Sequence, residues 1–598
     1  MYKWSEKSVK CWENKNRRQT FLTFNCLFIY SDFVFGYIAE SGVIYVNKEK
    51  YDTIIIGSGA GGMASAICLA KAGQKVLVLE QHYVPGGWCH SFHLKGQRFS
   101  PGVHYIGLLD KGQSTSELYK ALGVANDIIF FRMNPKAYEH CLVGKEKIDM
   151  PAGLDALYES LSQRFPEERK NLKKYLSLVE KVSQQVQLIP KMKGFLDHLT
   201  IAFRTKDMGR YALFSLKRVI DWHIKDPLLK SILNIQCGDH GLPPSKASFP
   251  VHCVVMYHYF SGAFYPMGGG AGIVKAMTNA LKKLGGEISV KQTVKKILLD
   301  HKKAVGIELE HGQQIFAKNI LSNADPTSTY LNLVGKENLS PKLLKKLAKT
   351  KYSVTSLILF LTVDMDVRAA GVDSGNIWSL KNEDLDAIYH ELKDTDILAG
   401  EEFPAVFISC PTLKDPVSFN GRHHTLEVVT FIHNESFDKF DKGIDYHSDA
   451  YAAQKDILIR KFMNNVEKVI PGAKNNVVQV ELGTPKTNQF YIKGTQGNVY
   501  GTEKNFMQIG PFSFNTKSEI QNLYLCGAST LSHGVGGASY SGVEAAAKIL
   551  NVNPETLLIP DKRQELKIYD AEDPSGWPEF IHRKMEDKRR RFKDREIF

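Results

Sequence analysis

The sequence has little that would cross-link it or bind a structural metal. Its nine cysteines (Cys11, Cys26, Cys68, Cys89, Cys141, Cys237, Cys253, Cys410 and Cys526) are odd in number and scattered. None forms a CxxC pair or a zinc-like Cys/His spacing, so neither a disulfide framework nor a metal site is expected. Reduced thiols in a cytosolic or cytosol-facing protein follow. Internal repeats and low-complexity tracts are also missing. The charge is lopsided, 77 Lys and Arg against 64 Asp and Glu, a formal +13. It forms no single long run and no nucleic-acid motif accompanies it, so an anionic membrane surface suits it better than nucleic acid.

What is there is ordinary globular composition, 43% hydrophobic and 24% charged, in 598 residues. A chain of that length exceeds one compact core, and two or three domains are expected. The first fifty residues stand apart. Lys15, Arg17 and Arg18 precede an aromatic-rich stretch, Phe21 to Ala39, about as long as a membrane span, but Asn25, Ser31 and Asp32 interrupt it. A weak anchor, an extra packed segment and a non-functional upstream extension all remain open, and no convincing signal cleavage site follows.

From Tyr51 the pattern becomes regular. Tyr51 to Ile56 is a β-branched apolar run, suited to a strand buried on both faces. Gly57-Ser-Gly-Ala-Gly-Gly62 follows, then a small-residue helix over Met63 to Ala72, closed by Gly73, then a second buried strand from Lys75 to Glu80. Residues 150–262 read as largely helical. Gly268 to Gly272 opens another helix, strand-like pieces follow at 287–290, 293–298 and 304–310, and residues 331–480 alternate strand and helix. Leu523 to Leu550 again reads strand, glycine-rich turn, helix. The expected fold is α/β, a discontinuous Rossmann-type nucleotide-binding domain carrying an inserted α+β substrate domain. Expected boundaries are an N-terminal extension at 1–49, nucleotide pieces at 50–145, 263–330 and 483–550, and substrate or membrane-facing pieces at 146–262 and 331–482. A basic C-terminal tail at 551–598 completes them.

Gly57, Gly59 and Gly62 stand in GxGxxG spacing between a strand and a helix, with Glu80 at the end of the next strand. Gly57 permits the tight turn, Gly59 the approach of a pyrophosphate to the backbone, and Gly62 the close packing of helix on strand. The helix start offers N–H groups and a partial positive charge to phosphate, and Ser58 lies within that turn. Glu80 suits ribose hydroxyls and repels a 2′-phosphate, which makes NADP the least favoured ligand. The glycine pair Gly86-Gly87 matches flavoproteins in which a second loop meets the nucleotide, and it tips the choice from NAD to FAD.

Several segments together carry a family resemblance. They are Val76 to His82 with Gly86-Gly87, Gly102-Val-His-Tyr-Ile-Gly107, Gly262 to Gly269, and Gly483 to Tyr491. With them, residues 50–550 resemble the retinol saturase branch of the carotenoid isomerase and bacterial-type phytoene desaturase flavoproteins. The resemblance implies that Gly57, Gly59 and Gly62 hold the pyrophosphate, Glu80 the adenosine ribose, and the Val294 backbone the adenine border. It implies that Gly527, Ala528 and their neighbours reach the ribityl chain, and that Gly536 and Gly537 pass the flavin ring. The acid that many members carry just after the equivalent of Gly527 is replaced here by Ala528, Ser529 and Thr530, whose hydroxyls could substitute.

One GxGxxG unit leaves room for one resident dinucleotide, so a nicotinamide enters only as a transient electron donor. The resemblance implies a hydrophobic isoprenoid substrate. It leaves saturation, desaturation and cis–trans isomerisation open, beside a flavin-free prenyl carrier of the GDP-dissociation-inhibitor type and an amine oxidase. Met256 to Phe260 and Phe264-Tyr265 suit either a hydrophobic tunnel or a packed core. His104 and His258 are candidate acid/base groups, weighed against plain structural roles. Arg204, Lys206, Arg210, Lys217, Arg218, Lys225 and Lys230, interleaved with Phe203, Tyr211, Phe214 and Trp222, suit an interfacial surface, as does the basic run at 589–593 more weakly. A membrane-associated, cytosol-facing protein is therefore expected, with a soluble cytoplasmic one second. Oligomeric state is not legible.

Overall fold

The computed structural model describes residues 51–188, 200–201, 203–394, 396–441 and 447–596. The basic-aromatic stretch expected as a weak anchor, Phe21 to Ala39, lies outside them. Strand β1 (Tyr51–Ile56), helix α1 (Ala60–Lys71) and strand β2 (Val76–Leu79) form the expected unit, with β1 and β2 parallel. The helix begins at the glycine turn itself, earlier than the apolar pattern suggests, because glycines and alanines suffice where two elements pack closely.

Around this unit a seven-stranded sheet runs in the order Val294–Asp300, Lys303–Leu309, Gln314–Ser322, β1, β2, Glu287–Ser289, with Leu523–Leu525 paired on Gln314–Ser322. The period-2 alternation of side chains explains the two buried faces. Ile55, Val76 and Val78 point to a cluster with α1 and the helices Gly270–Lys283 and Gly534–Leu550. Ile54, Ile56, Leu77 and Leu79 point to the opposite cluster, with Ile297, Ile307 and Tyr330.

A second seven-stranded sheet runs Val477–Gly483, Thr355–Val363, His424–Ile432, Ala405–Ser409, Asn376–Leu380, Glu139–Val143, Glu146–Met150. The chain thus enters this sheet at Glu139. One face, with Phe360, Trp378 and Phe407, packs on helices that include Arg169–Leu188 and Phe249–His258. Arg169–Leu188 shows why: Leu172, Tyr175, Leu176, Val179 and Val182 recur at helical spacing and are all buried. The other face, with Leu357, Leu359 and Val428, packs on Asp449–Val469.

The segment after residue 550 is part of this folded unit. Lys567–Asp570 pairs in parallel with Ile129–Arg132, and Ile581 of the Glu579–Glu596 helix is fully buried beside Phe131. Among the described residues no helix is long and apolar enough to cross a membrane.

Candidate functional site: a glycine junction and an enclosed polar chamber

Three chain crossings build the nucleotide end. At the turn after β1, Gly57 has φ +93° and its N–H donates to the Leu79 carbonyl at 2.8 Å. A β-carbon on Gly62 would lie 2.1 Å from the Gly57 carbonyl oxygen, which bars any other residue there. Gly59 caps α1 without a side chain, so no capping side chain bonds to the N–H groups of the first turn. Gly87, at φ +54°, brings its own loop onto Gly59, where an added β-carbon would stand 3.2 Å from the Gly59 Cα.

Glu80 is buried at the end of β2 and ties the turn together. One carboxylate oxygen accepts from the Ser58 N–H at 3.0 Å and from the Ser58 hydroxyl at 2.6 Å, and the other accepts from the His82 N–H at 2.9 Å. The Ser58 hydroxyl in turn accepts from the Gly86 N–H at 2.8 Å. Three donors leave about one acceptor position on a carboxylate with about four. Val294 sits at the rim of the same corner, where Lys291 and Gln292 donate to the His82 and Glu80 carbonyls. The distant segment ending at Tyr491 arrives here too: Gln81 Nε2 donates to its carbonyl at 3.0 Å, and its ring lies 4.9 Å from that of His82.

The C-terminal glycine segment closes on the turn from the other side. Gly527, at φ +100°, receives support from Ser541, whose hydroxyl accepts its N–H at 2.7 Å. Gly536 and Gly537 form the first turn of Gly534–Leu550, and a β-carbon on Gly61 would lie 2.9 Å from the Ala538 carbonyl oxygen. A β-carbon on Gly542 would lie 2.0 Å from the Gly61 carbonyl oxygen, so the two helices cross in near backbone contact. The hydroxyls at 529 and 530 are engaged within the protein: Ser529 accepts from the Thr502 N–H, and Thr530 bonds to Ser541 and the Gly527 carbonyl. The buried Lys504 ammonium donates to the Ala528 carbonyl, and burial pushes its pKa down to about 7.

Asn323 occupies the centre of this junction. Its side chain lies within 3 Å of the β-carbon positions of Gly59, Gly61 and Gly527, and it accepts from the Cys526 thiol at 3.3 Å. Motif reading misses it, because it lies at the end of a strand and belongs to no glycine signature. Cys89 and Cys526 are buried thiols whose pKa burial raises, Cys89 to about 12, which suits packing and not redox chemistry.

Past Gly527 the interior turns from glycine to titratable side chains. His533 precedes the Gly534–Leu550 helix; its ring lies 5.1 Å from that of Tyr500, and the Asp239 carbonyl faces it. Tyr500 donates to the Gly238 carbonyl at 2.9 Å. Tyr105, stacked on Tyr259 at 4.2 Å between ring centres, places its hydroxyl 2.6 Å from Asp239 and 2.8 Å from Glu139. Asp239, His258, Tyr500 and His533 lie deep within the protein and each keeps some accessible surface, which marks them as the candidate lining of a substrate chamber. A surface cleft of about 570 Å³ beside Lys381, Phe403 and Lys461 contains none of these groups.

The two histidines proposed from sequence sit near this chamber in structural roles. His258 Nε2 accepts from the Gly107 N–H at 2.8 Å, an approach so close that a β-carbon on Gly107 would lie 1.9 Å from the His258 carbonyl oxygen. Burial pushes its pKa down to about 4, so it is neutral. His104 Nδ1 pairs with the buried Glu427 at 3.0 Å. Among the described residues one group has metal-ligand identities, Cys237, His240 and His252. Hydrogen bonds occupy both His252 nitrogens and one of His240: His252 Nε2 donates to the Leu233 carbonyl at 3.1 Å, which leaves its Nδ1 to accept from His240 Nε2 at 3.3 Å. His240 Nδ1 is buried without a hydrogen-bond partner among the described residues.

Residues 60–550 match the family described as flavin containing amine oxidoreductase. The chain belongs to this family. The chain is similar to all-trans-retinol 13,14-reductase of Danio rerio, 29% identical over 529 residues, 84% of this chain and 87% of that protein. The human protein of the same name is 28% identical over 84% of this chain and 86% of its own. Prolycopene isomerase of Arabidopsis thaliana is also 28% identical, over 84% of this chain and 83% of that protein. Two solved structures share the fold. An oxidoreductase from Methanosarcina mazei superposes with a TM-score of 0.54 at 18% identity, covering 82% of this chain and 99% of that one. A putrescine oxidase bound to putrescine reaches 0.57 at 12% identity, over 84% and 99%. The protein is thus an FAD-dependent oxidoreductase of the branch expected from its motifs, with the expected α/β fold.

The residues at the junction fit FAD on structural grounds. The first turn of α1 with no N-cap side chain, the positive-φ turn at Gly57 and the spare acceptor position on Glu80 match pyrophosphate and ribose chemistry.

Proposed function

We propose that the protein reduces a carbon–carbon double bond of a conjugated isoprenoid, with all-trans-retinol as the first substrate to try. The observation that carries this reading is the similarity to all-trans-retinol 13,14-reductases across 84% of the chain. In this reading Gly57, Gly59 and Gly62 with the α1 amides hold the pyrophosphate, and Glu80 holds the adenosine ribose, with Val294 at the adenine. Gly527, Ala528, Gly536 and Gly537 carry the segment that passes the ribityl chain and the ring. When bound, FAD supplies two-electron chemistry at carbon.

The remaining work falls to this chain's side chains. The Tyr105–Tyr259 stack, with Trp378 and Phe407 packed beside it, supplies an apolar backing next to Asp239 that would orient a polyene and exclude water. The protein stays on the electron-accepting side of a transient donor, a nicotinamide or a partner protein.

The route from a bilayer rests on a surface feature. Phe203, Leu213 and Trp222 are exposed at 78%, 74% and 52%, and the Arg218 guanidinium lies over both Phe214 and Trp222. Apolar rings set among cations suit a membrane-associated, cytosol-facing protein that takes its substrate from the lipid interface.

Prolycopene isomerases align as fully as the reductases, which favours a redox-neutral isomerase as the second reading. Product analysis separates the two. Under anaerobic conditions, FAD-loaded protein reduced with dithionite should convert all-trans-retinol to a product two hydrogens heavier. A product of unchanged mass from retinol or from a poly-cis carotene would replace the reductase reading with the isomerase one.

A further inference from the structure

The chamber contains an arrangement whose proton inventory can be worked out atom by atom. Tyr105 has one hydroxyl proton and two carboxyl groups within hydrogen-bond distance, Glu139 Oε1 at 2.8 Å and Asp239 Oδ2 at 2.6 Å. Were both carboxyls ionised, one would face the phenol oxygen lone pair to lone pair. One of them therefore carries a proton.

The surroundings say which. Glu139, at the start of its strand and fully buried, also receives Trp378 Nε1–H at 3.1 Å and Gln236 Nε2–H at 3.4 Å. Three donors converge on it, the environment of a carboxylate anion. Among the described residues Tyr105 is the one hydrogen-bond partner of the Asp239 carboxyl, and its proton is committed to Glu139. Asp239 must then donate to the phenol oxygen. The directions of the pKa shifts agree. Burial raises Glu139 to about 7 against the pull of its three donors, whereas burial and the Glu139 charge raise Asp239 well above the usual carboxyl range.

Position adds the rest. Glu139 has no accessible surface, but Asp239 keeps some and lines the chamber. Its own carbonyl faces His533 at the start of the Gly534–Leu550 helix. We infer that Asp239, held neutral by a Tyr105 bridge to ionised Glu139, is the group that delivers a proton to the substrate in this chamber. The inference rests on the polyene-reductase reading above.

The balance closes. The Asp239 O–H bond breaks and a C–H bond forms at one carbon of the double bond. The other carbon would gain a hydrogen with two electrons, chemistry that reduced FAD held at the glycine junction would supply and a two-electron donor would restore. Delivery leaves both carboxyls ionised beside the single Tyr105 proton, the arrangement the bridge disfavours, and water returns a proton to Asp239.

Two readouts test this on the full-length holoenzyme. Infrared difference spectra at neutral pH should show a protonated-carboxyl band that shifts in D2O, vanishes in Asp239→Asn and survives in Glu139→Gln, where burial still holds Asp239 neutral. Reduction of the polyene by dithionite-reduced enzyme should fall by about 10²-fold or more in Asp239→Asn, the scale of a lost general acid, with flavin content unchanged. Tyr105→Phe, which removes the bridge and leaves both carboxyls, should move the band without abolishing it. A band lost in Glu139→Gln and kept in Asp239→Asn would overturn the inference, as would Asp239→Asn reducing the polyene at the wild-type rate. A wild-type enzyme that reduces no polyene would sink the function reading alone, since the infrared result locates the proton without turnover.

Discussion

The glycine junction and the chamber are adjacent but built on opposite principles. At the junction, function rests on side chains that are missing. Gly57, Gly59, Gly61, Gly527 and Gly542 let backbones meet, and Ser58 and Glu80 lock the turn with three short-range bonds. In the chamber, the proposed function rests on titratable side chains from distant segments: Tyr105, Glu139, Asp239, Tyr500 and His533. A dinucleotide has fixed chemistry and can be met by backbone amides, which tolerate little change in position. A polyene offers no polar handle along most of its length, so walls and one placed proton must do the rest.

That contrast can be broken in order of expected effect. Gly542→Val is the most severe test. A β-carbon there already lies 2.0 Å from the Gly61 carbonyl oxygen, so the variant should lose bound flavin and fail to fold cooperatively, read by absorbance and circular dichroism. If it folds and holds FAD, the helix crossing is not what shapes the junction. Glu80→Ala should come next. It strands the buried Ser58 N–H and should cost about 1–3 kcal/mol in denaturant unfolding, together with weaker FAD retention. Glu139→Gln, on the chamber side, should leave flavin content intact, which separates the two regions.

Smaller effects belong to the surface and to the second sheet. A double variant, Phe203→Ser with Trp222→Ser, should lower co-sedimentation with anionic vesicles by about tenfold while retaining turnover of detergent-dispersed substrate. Unchanged sedimentation would remove the interfacial role of this patch. His140 gives the mildest test. It pairs across the strands with Asp149 at 2.6 Å and reaches Asp373 at 3.0 Å. Those two carboxylates raise its pKa from 6.5 to about 9 despite burial. Its contribution is therefore fully present below pH 6.5 and disappears as pH rises through about 9. His140→Gln should flatten that decline in unfolding free energy.

The same contrast explains what could be read from sequence. The junction was legible because its chemistry is local: strand, glycines, helix and acid follow one another within about thirty residues. The helix start shifted to Ala60, and the hydroxyls at 529 and 530 turned inward to Thr502 and Ser541, details that only packing decides. Asn323 was invisible because its role arises where three separate segments cross. The chamber was illegible for a deeper reason. Tyr105 lies 34 residues from Glu139 and 134 from Asp239, and nothing in such spacing marks a shared proton. His104 and His258 drew notice as the residue types that suit proton transfer, yet the fold gives one to Glu427 and the other to the Gly107 amide.

The most direct test of the account is the absorption spectrum of the purified full-length protein before and after unfolding. The account predicts oxidised-flavin bands and release of stoichiometric FAD when the glycine junction is unfolded. A colourless protein that cannot be reconstituted with FAD would contradict it, and would leave the chamber as a binding cavity without redox chemistry.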